Sequence, residues 1–280
     1  MVLLYSALPV LALVACYALV LMYVLRIHDV KAFPGCGLRV DPSTPGNGNI
    51  DFEDLYLPLP DGTSVHAWWI PARRGPGEAD APTLVYFHGN GHPIESQADH
   101  EAPALHETGM NLLLVDYRGF GLSSPMQTTA ASTHADARAA LDHLTEKRGI
   151  APSRIWIGGR SIGSAVAVRL AAENPGCAGL ILVTPITNTV DVGRVSPILR
   201  PLKWLGLAGN FDSLGRIRTL RMPVLLLAGA DDTVATPAMA RRMYARAAGR
   251  KRIEVFEGVV HGNMWDVARA EAIAAITEMV

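Results

Sequence analysis

The sequence predicts an α/β fold in which helices cover both faces of a mostly parallel sheet. Short and almost wholly apolar runs recur between residues 83 and 256, and such runs are typical of strands buried on both faces. Helical stretches separate most of these runs, and a regular alternation of strand and helix indicates a parallel sheet. Two strands joined by turn residues precede the alternation, so the sheet is predicted to open with an antiparallel hairpin.

The individual elements follow in chain order. Residues 52–57 and 65–70 flank a turn at 60–62 whose sequence, Pro-Asp-Gly, is typical of a hairpin. The buried strands are predicted at 83–87, 112–115, 155–157, 180–183, 224–227 and 253–256. The helices between and after them are predicted at 94–108, 128–147, 163–174, 237–248 and 264–279.

The N-terminal segment predicts a single membrane span. Residues 2–25 carry no charged side chain, and about 20 apolar residues suffice to cross the hydrocarbon core of a bilayer. We therefore expect an uncleaved transmembrane anchor at 1–26, with a processed signal peptide and a buried helix of a soluble domain as the alternatives. Arg26 and Lys31 follow the segment and no Lys or Arg precedes it, so the positive-inside rule predicts that the rest of the chain is cytoplasmic.

Beyond the anchor, we expect one linker and one domain. Residues 27–50 are rich in Pro and Gly, which is typical of a linker or surface loop. Residues 51–280 form the α/β domain, in which 186–216 interrupt the alternation as an insertion. The insertion is apolar but broken by Pro197 and Pro201, so it predicts either a short lid whose apolar face lines an acyl pocket or touches lipid, or a helix pair packed on the domain.

Composition and histidine spacing exclude several classes of partner. The 25 Lys and Arg residues balance 26 Asp and Glu residues with no basic stripe, so we expect no nucleic-acid partner. Three cysteines provide neither a disulfide framework nor a zinc-finger spacing. His88 and His92 are four residues apart, but Pro93 and the glycines between them break the helix that such a metal-binding pair needs. We therefore expect no metal, and no cofactor is implied.

Residues 159–163 read Gly-Arg-Ser-Ile-Gly and carry the chemistry. They lie between an apolar strand and a helix, which is the context of a nucleophile elbow. The elbow strains the backbone of Ser161 and raises its hydroxyl above the sheet, and side chains at 159 and 163 would collide with the neighbouring elements. The alternative is a glycine-rich turn whose serine merely caps the helix.

A serine nucleophile needs a base, and the base needs a carboxylate. His261 follows the strand 253–256 and is the only histidine after Ser161. Asp231 and Asp232 both follow the strand 224–227, and the residues alone leave either of them as the acid.

Four segments resemble a known family. They are residues 88–91 (His-Gly-Asn-Gly), 116–123, 159–163, and 229–234 together with 261–262. With them the chain resembles a serine hydrolase of the α/β-hydrolase superfamily, in the membrane-anchored branch near the serine aminopeptidase-like hydrolases, over roughly residues 50 to 280.

The resemblance implies roles for particular residues. It selects Asp232, three residues after a glycine, as the acid that partners His261 and Ser161. It also implies an oxyanion hole formed by the backbone N–H groups of Asn90 and Ile162.

Two further residues are interpreted as structural. His88 is expected to bond to the backbone of its own loop, and Asp116 is expected to be the partner of Arg160.

The expected function is hydrolysis of a carboxylic ester or thioester through an acyl-enzyme. The anchor and the apolar insertion favour a small-molecule or acylated, lipid-like substrate at a membrane. The alternatives are an aminopeptidase-type serine peptidase and a non-catalytic membrane scaffold on the same fold.

Overall fold

The strands lie where the apolar runs predict them. The computed structural model of the chain describes residues 12–20, 32–41, 43–73, 81–192 and 211–280. The strands are β1 Glu53–Pro58, β2 Ser64–Ile70, β3 Thr83–Phe87, β4 Asn111–Val115, β5 Ile155–Arg160, β6 Gly179–Val183, β7 Val224–Gly229 and β8 Lys251–Phe256. They form one eight-stranded sheet in the order β1-β2-β4-β3-β5-β6-β7-β8.

The sheet opens with the predicted hairpin and continues in parallel. β1 pairs with β2 and β2 with β4 in antiparallel register, and every later neighbour from β4 to β8 is parallel. In the hairpin turn, Asp61 Oδ1 accepts a hydrogen bond from the backbone N–H of Thr63 at 3.0 Å, and Gly62 has a φ of +81°. Aspartate suits its turn position because its side chain accepts a backbone hydrogen bond, and glycine suits the next position because it tolerates a positive φ.

Helices follow most strands. Within the described part of the domain, the α-helices are α1 Glu101–His106, α2 Ala130–Asp142, α3 Ile162–Glu173, α4 Thr189–Val192, α5 Ser213–Arg216, α6 Pro237–Arg246, α7 Met264–Val267 and α8 Arg269–Met279. The helix predicted at 94–108 is instead a 3-10 turn at Ile94–Gln97 followed by α1, and the one predicted at 264–279 is interrupted at Ala268.

The sheet separates two hydrophobic cores, as expected for strands buried on both faces. Val85 and Phe87 of β3 pack in the core under α2 and α3, whereas Leu84 and Tyr86 of the same strand pack in the core under α1 and α8. This alternation confirms the predicted α/β fold class, with a mostly parallel sheet and helices on both faces.

Two predictions fall mainly outside the described residues. Of the predicted anchor 1–26 only residues 12–20 are described, and they are helical. Within the described part of the chain, no helix combines the length and the apolar character that a membrane span requires. In the predicted insertion 186–216, residues 193–210 lie outside the described ranges, which leaves α4 and α5 at its two ends.

The described part of the predicted linker packs against the domain. Phe33 is only 1% exposed, and its ring centroid lies 6.1 Å from that of Tyr117 and 6.3 Å from that of Phe120. The backbone N–H of Gly37 donates to the carbonyl of Gly119. Phe33 is therefore part of the core on the α3 side of the sheet.

Candidate active site

Ser161 occupies the turn between β5 and α3. Its φ of +54° and ψ of −120° lie in a region that non-glycine residues rarely adopt, as the elbow interpretation predicts. A Cβ at position 163 would collide with the carbonyl oxygen of Phe87, and one at 159 with the backbone of residue 163. Glycine is required at both positions because β3 and the first turn of α3 pass this close to the elbow.

Hydrogen bonds on both sides hold the elbow in place. The Ser161 N–H donates to the carbonyl of Val183 at 3.0 Å. Ser164 Oγ donates to the Ser161 carbonyl at 2.5 Å and accepts from the N–H of Ile186 at 3.2 Å. The strained conformation is thus fixed by its surroundings, which is how such strain persists in folded proteins.

The structure brings Ser161, His261 and Asp232 together. His261 Nε2 lies 3.0 Å from Ser161 Oγ, and His261 Nδ1 lies 2.8 Å from Asp232 Oδ2. The three residues follow β5, β8 and β7, so the carboxyl ends of parallel strands bring them to one edge of the sheet. The Asp232 side chain is fully buried, whereas the imidazole is 32% exposed.

The two aspartates after β7 have different environments. Asp232 Oδ1 accepts hydrogen bonds from the N–H groups of Val234 and Ala235 at 2.8 and 2.9 Å, which leaves Oδ2 for the imidazole. Asp231 is exposed, and its Oδ2 accepts from the N–H of Gly258 at 2.9 Å. The geometry therefore favours Asp232, the residue that the family resemblance selects.

The loop after β3 lies beside the elbow. A Cβ placed on Gly89 would be 3.7 Å from the Cβ of Ser161, so the backbone of this loop borders the nucleophile. Ile162 is the first residue of α3, where a backbone N–H has no partner within its own helix. These positions suit the predicted oxyanion donors, Asn90 and Ile162, whose role stays a prediction.

Residues 32–35 of the predicted linker hold this loop, a contact that is absent from the predictions. Asn90 Nδ2 donates to the carbonyl of Ala32 at 2.7 Å, and the N–H of Gly35 donates to the carbonyl of Asn90 at 3.0 Å. The one signal in the sequence is Phe33, an aromatic residue in a stretch otherwise rich in Pro and Gly.

The prediction that Asp116 is the partner of Arg160 is wrong. Arg160 Nε lies 3.5 Å from Glu101 Oε2 of α1, and the other oxygen of Glu101 accepts from the Tyr86 hydroxyl at 2.6 Å. The Glu101 carboxylate raises the pKa of Arg160. α1 packs against β4, and from there its Glu101 carboxylate reaches the Arg160 guanidinium.

Asp116 instead contacts histidines. Its Oδ1 lies 3.0 Å from His88 Nε2, and His88 Nδ1 lies 2.5 Å from the carbonyl oxygen of Gly89. The expectation that His88 bonds to its own loop is thereby confirmed. His88 is fully buried, whereas His92 is exposed.

Comparisons with known proteins agree with the fold. A family profile described as "Serine aminopeptidase, S33" matches residues 79–211. The Mycobacterium tuberculosis protein Rv2307c is 34% identical over 259 residues, covering 92% of this chain and 89% of that protein. The alpha/beta hydrolase domain-containing protein WAV2 of Arabidopsis thaliana is 32% identical over 273 residues, covering 90% of this chain and 85% of that protein.

Solved structures share the architecture. An esterase from Pyrococcus furiosus superposes with a TM-score of 0.65 at 19% identity, covering 86% of this chain and 94% of that one. At that identity the likeness speaks to the fold alone. Since the similarity to WAV2 extends along nine-tenths of the sequence and the sheet has the matching architecture, the chain belongs to the α/β-hydrolase family.

Proposed function

We propose that the chain is a serine hydrolase that cleaves a carboxylic ester or thioester through an acyl-enzyme. One observation carries this proposal: His261 lies within hydrogen-bond distance of both the Ser161 hydroxyl, at 3.0 Å, and the Asp232 carboxylate, at 2.8 Å. A nucleophile, a base and an orienting carboxylate in this order are the recognised requirements of acyl transfer by serine.

The carboxylate sets the tautomer of the base. Asp232 only accepts hydrogen bonds, so the proton of the neutral imidazole stays on Nδ1 and Nε2 is left to accept the Ser161 proton. Ser161 Oγ attacks the substrate carbonyl as His261 takes that proton. His261 then gives the proton to the leaving alcohol or thiol, and the acyl group remains on Oγ.

Water completes the cycle. His261 takes a proton from a water molecule that attacks the acyl carbonyl, and it returns the proton to Ser161 as the acid product leaves. In each half the carbonyl oxygen becomes an oxyanion, which the N–H groups of Asn90 and Ile162 are proposed to bind. Loss of one such donor typically costs about 100- to 1000-fold in rate.

A fluorophosphonate probe tests the nucleophile. We expect the wild type to be labelled and Ser161→Ala not to be labelled, while the control Ser96→Ala, which removes an exposed serine, is labelled like the wild type. Labelling that persists in Ser161→Ala would contradict the proposal.

A substrate series tests the bond that is cleaved. We expect hydrolysis of p-nitrophenyl esters and of acyl thioesters, with the chain length of the preferred acyl group measured from kcat/KM. Faster cleavage of aminoacyl p-nitroanilides would instead favour the aminopeptidase alternative, which the name of the matching family profile also suggests. Absence of turnover on every substrate class, together with absence of labelling, would favour a scaffold.

We also propose that residues 1–26 anchor the hydrolase domain on the cytoplasmic side of a membrane. The support is the uncharged stretch 2–25 and the basic residues that follow it. Retention of the full chain in membranes after alkaline extraction, with the domain protected from protease in right-side-out vesicles, is the expected result. Release by alkali would contradict the anchor.

A further inference from the structure

A second group of buried polar residues lies outside the triad. His66 is in β2, Glu95 is in the 3-10 turn at Ile94–Gln97, and Asp116 follows β4. Their exposed fractions are 1%, 6% and 0%. One nitrogen or oxygen atom from each lies within 4.8 Å of the corresponding atoms of the other two. We call these three residues the buried cluster.

The atoms that face each other in the buried cluster lack hydrogen bonds. His66 Nδ1, Glu95 Oε2 and Asp116 Oδ2 are buried without a hydrogen-bond partner among the described residues. His66 Nδ1 lies 3.7 Å from Glu95 Oε1 and 3.6 Å from Asp116 Oδ2, and both distances are too long for a hydrogen bond. Buried polar atoms without partners are costly, so the arrangement calls for a group that interacts with all three residues.

The outer atoms of His66 and Asp116 have partners. His66 Nε2 lies 2.6 Å from Asp54 Oδ1, so an Nε2–H donates outwards, and in the neutral imidazole the lone pair of Nδ1 faces the cluster. Asp116 Oδ1 accepts from the N–H of Ile94 at 3.2 Å and faces His88 Nε2 at 3.0 Å. A histidine held by a carboxylate on its far nitrogen is the usual outer arrangement of a metal-binding histidine.

Space beside the cluster is kept open by a glycine. A Cβ on Gly121 would collide with Asp116 Oδ2 and lie 2.9 Å from Glu95 Oε2. Gly121 also has a φ of +46°, so two independent constraints favour glycine there. A larger residue at this position would occupy the room next to the two carboxylates.

We propose that His66, Glu95 and Asp116 bind one divalent transition-metal ion, with Zn²⁺ as the first candidate. One imidazole nitrogen and two carboxylate oxygens suit Zn²⁺, whereas Mg²⁺ and Ca²⁺ prefer oxygen alone. Two ligands about 2.1 Å from a tetrahedral ion lie about 3.4 Å apart. The distances from His66 Nδ1 to Asp116 Oδ2 and to Glu95 Oε1, 3.6 and 3.7 Å, are a few tenths of an ångström longer, and the three ligand atoms all lie within 4.8 Å of one another. Two carboxylates balance the charge of the ion.

The bound ion cross-links three parts of the chain. It ties β2, the 3-10 turn after the loop 88–91, and the end of β4. Through the contact of Asp116 with His88, and of His88 with the Gly89 carbonyl, the same cross-link supports the loop that borders Ser161. Its role is structural, because the ligands are buried and the triad already has its own base and acid.

Metal analysis of the purified full-length chain tests the proposal. After dialysis against a chelator and reloading with Zn²⁺, we expect inductively coupled plasma mass spectrometry to find one Zn²⁺ per chain. Glu95→Gln and Asp116→Asn are expected to lose binding by at least about 100-fold in competition with a chromophoric chelator, and Asp54→Asn to lose about 10- to 100-fold. Glu101→Gln, an equally buried carboxylate outside the cluster, is expected to keep the stoichiometry of the wild type.

Three outcomes would overturn the proposal. The first is that the wild type binds none of Zn²⁺, Mn²⁺ or Co²⁺. The second is that Glu95→Gln and Asp116→Asn retain the ion. The third is that His261→Ala loses the ion, which would place it at the triad. In the first case, a proton shared between Glu95 and its neighbours takes the place of the metal ion.

Spectroscopy on the wild type covers the case in which the variants do not fold. X-ray absorption at the zinc edge is expected to show one imidazole and at least two oxygen neighbours at about 2.0–2.2 Å. A sulfur neighbour or a second imidazole contradicts the assignment.

Discussion

Asp116 and Asp232 are two buried carboxylates in similar positions with different surroundings. Each follows a parallel strand, β4 or β7, and each faces a histidine. Asp232 has partners on both oxygens: two backbone N–H groups on Oδ1 and His261 on Oδ2. Asp116 has partners on Oδ1 alone, and its Oδ2 faces His66 and Glu95 without a hydrogen bond.

The difference shows two ways of keeping a charge buried. The backbone N–H groups of two residues just after Asp232 satisfy its Oδ1 locally, and the histidine on its Oδ2 is partly exposed to solvent. Asp116 instead lies beside His66 and Glu95, which come from distant parts of the chain, and its Oδ2 is left without a hydrogen bond. We propose that the first arrangement serves the reaction and that the second stabilises the fold. The following predictions test that division, from the largest expected effect to the smallest.

Asp232→Asn is expected to lower kcat by about 10,000-fold, because the amide would hold the imidazole in the wrong tautomer. Fluorophosphonate labelling rates and ester turnover measure the loss. Asp231→Asn is the matched control: its side chain is exposed, and we expect a stability change within about 0.5 kcal/mol and nearly normal turnover. If Asp231→Asn were the inactive variant, the assignment of the acid would be reversed.

Asp116→Asn is expected to have the opposite profile. Removing one partner of a buried charged pair typically costs about 3–5 kcal/mol of the free energy of unfolding. Urea unfolding measures this loss, and the fraction that remains folded should still be labelled at Ser161. A variant as stable as the wild type but unlabelled would show that Asp116 belongs to the chemistry.

Gly163→Ala is expected to reduce kcat/KM by about 100-fold, because the new Cβ displaces either the elbow or the end of β3, and small displacements of a nucleophile have effects of that size. Gly176→Ala is the control, since the nearest atom to its Cβ is Pro152 Cβ at 4.0 Å. Equal activity of the two variants would contradict the steric argument for the elbow.

His106 lies outside both sites and gives the smallest effect. Burial lowers the pKa of His106, and its Nε2 donates to the carbonyl of Pro71 at 2.9 Å. A depressed pKa in the folded state means that the unfolded chain binds the proton first. The stability from this group is therefore complete above the unfolded pKa of 6.5 and is lost as the pH falls through the lower, folded pKa.

Unfolding of His106→Gln compared with the wild type measures this effect. The wild type should lose more stability than the variant on acidification below pH 6.5, with a slope no steeper than about 1.4 kcal/mol per pH unit for one proton. Parallel pH profiles for the two proteins would contradict the prediction.

Much of the fold and the triad could be predicted from the sequence because both are encoded locally. Apolar runs such as 224–227 predict buried strands directly, and Ser161 lies in a five-residue motif whose glycines have a steric cause. The order of Ser161, Asp232 and His261 then follows from the position of each after a strand.

The buried cluster could not be predicted because it depends on the order of the strands. β2 lies beside β4, and the N–H of Asp116 donates to the carbonyl of His66, fifty positions away in the chain. No periodic pattern in the sequence carries that pairing. The partner of Arg160 was missed for the same reason, since Glu101 reaches the elbow only after α1 packs against the sheet.

The contact between linker residues 32–35 and the loop at Asn90 has a practical consequence. A shortened protein that begins at residue 51, where the strands start, would lack Ala32 and Gly35 and would leave the Asn90 side chain and carbonyl without these partners. It would also expose the rings that cover Phe33. A truncated protein for crystallisation or assay should therefore begin at or before Ala32. A low activity of a shorter protein would reflect the lost support of the Asn90 loop.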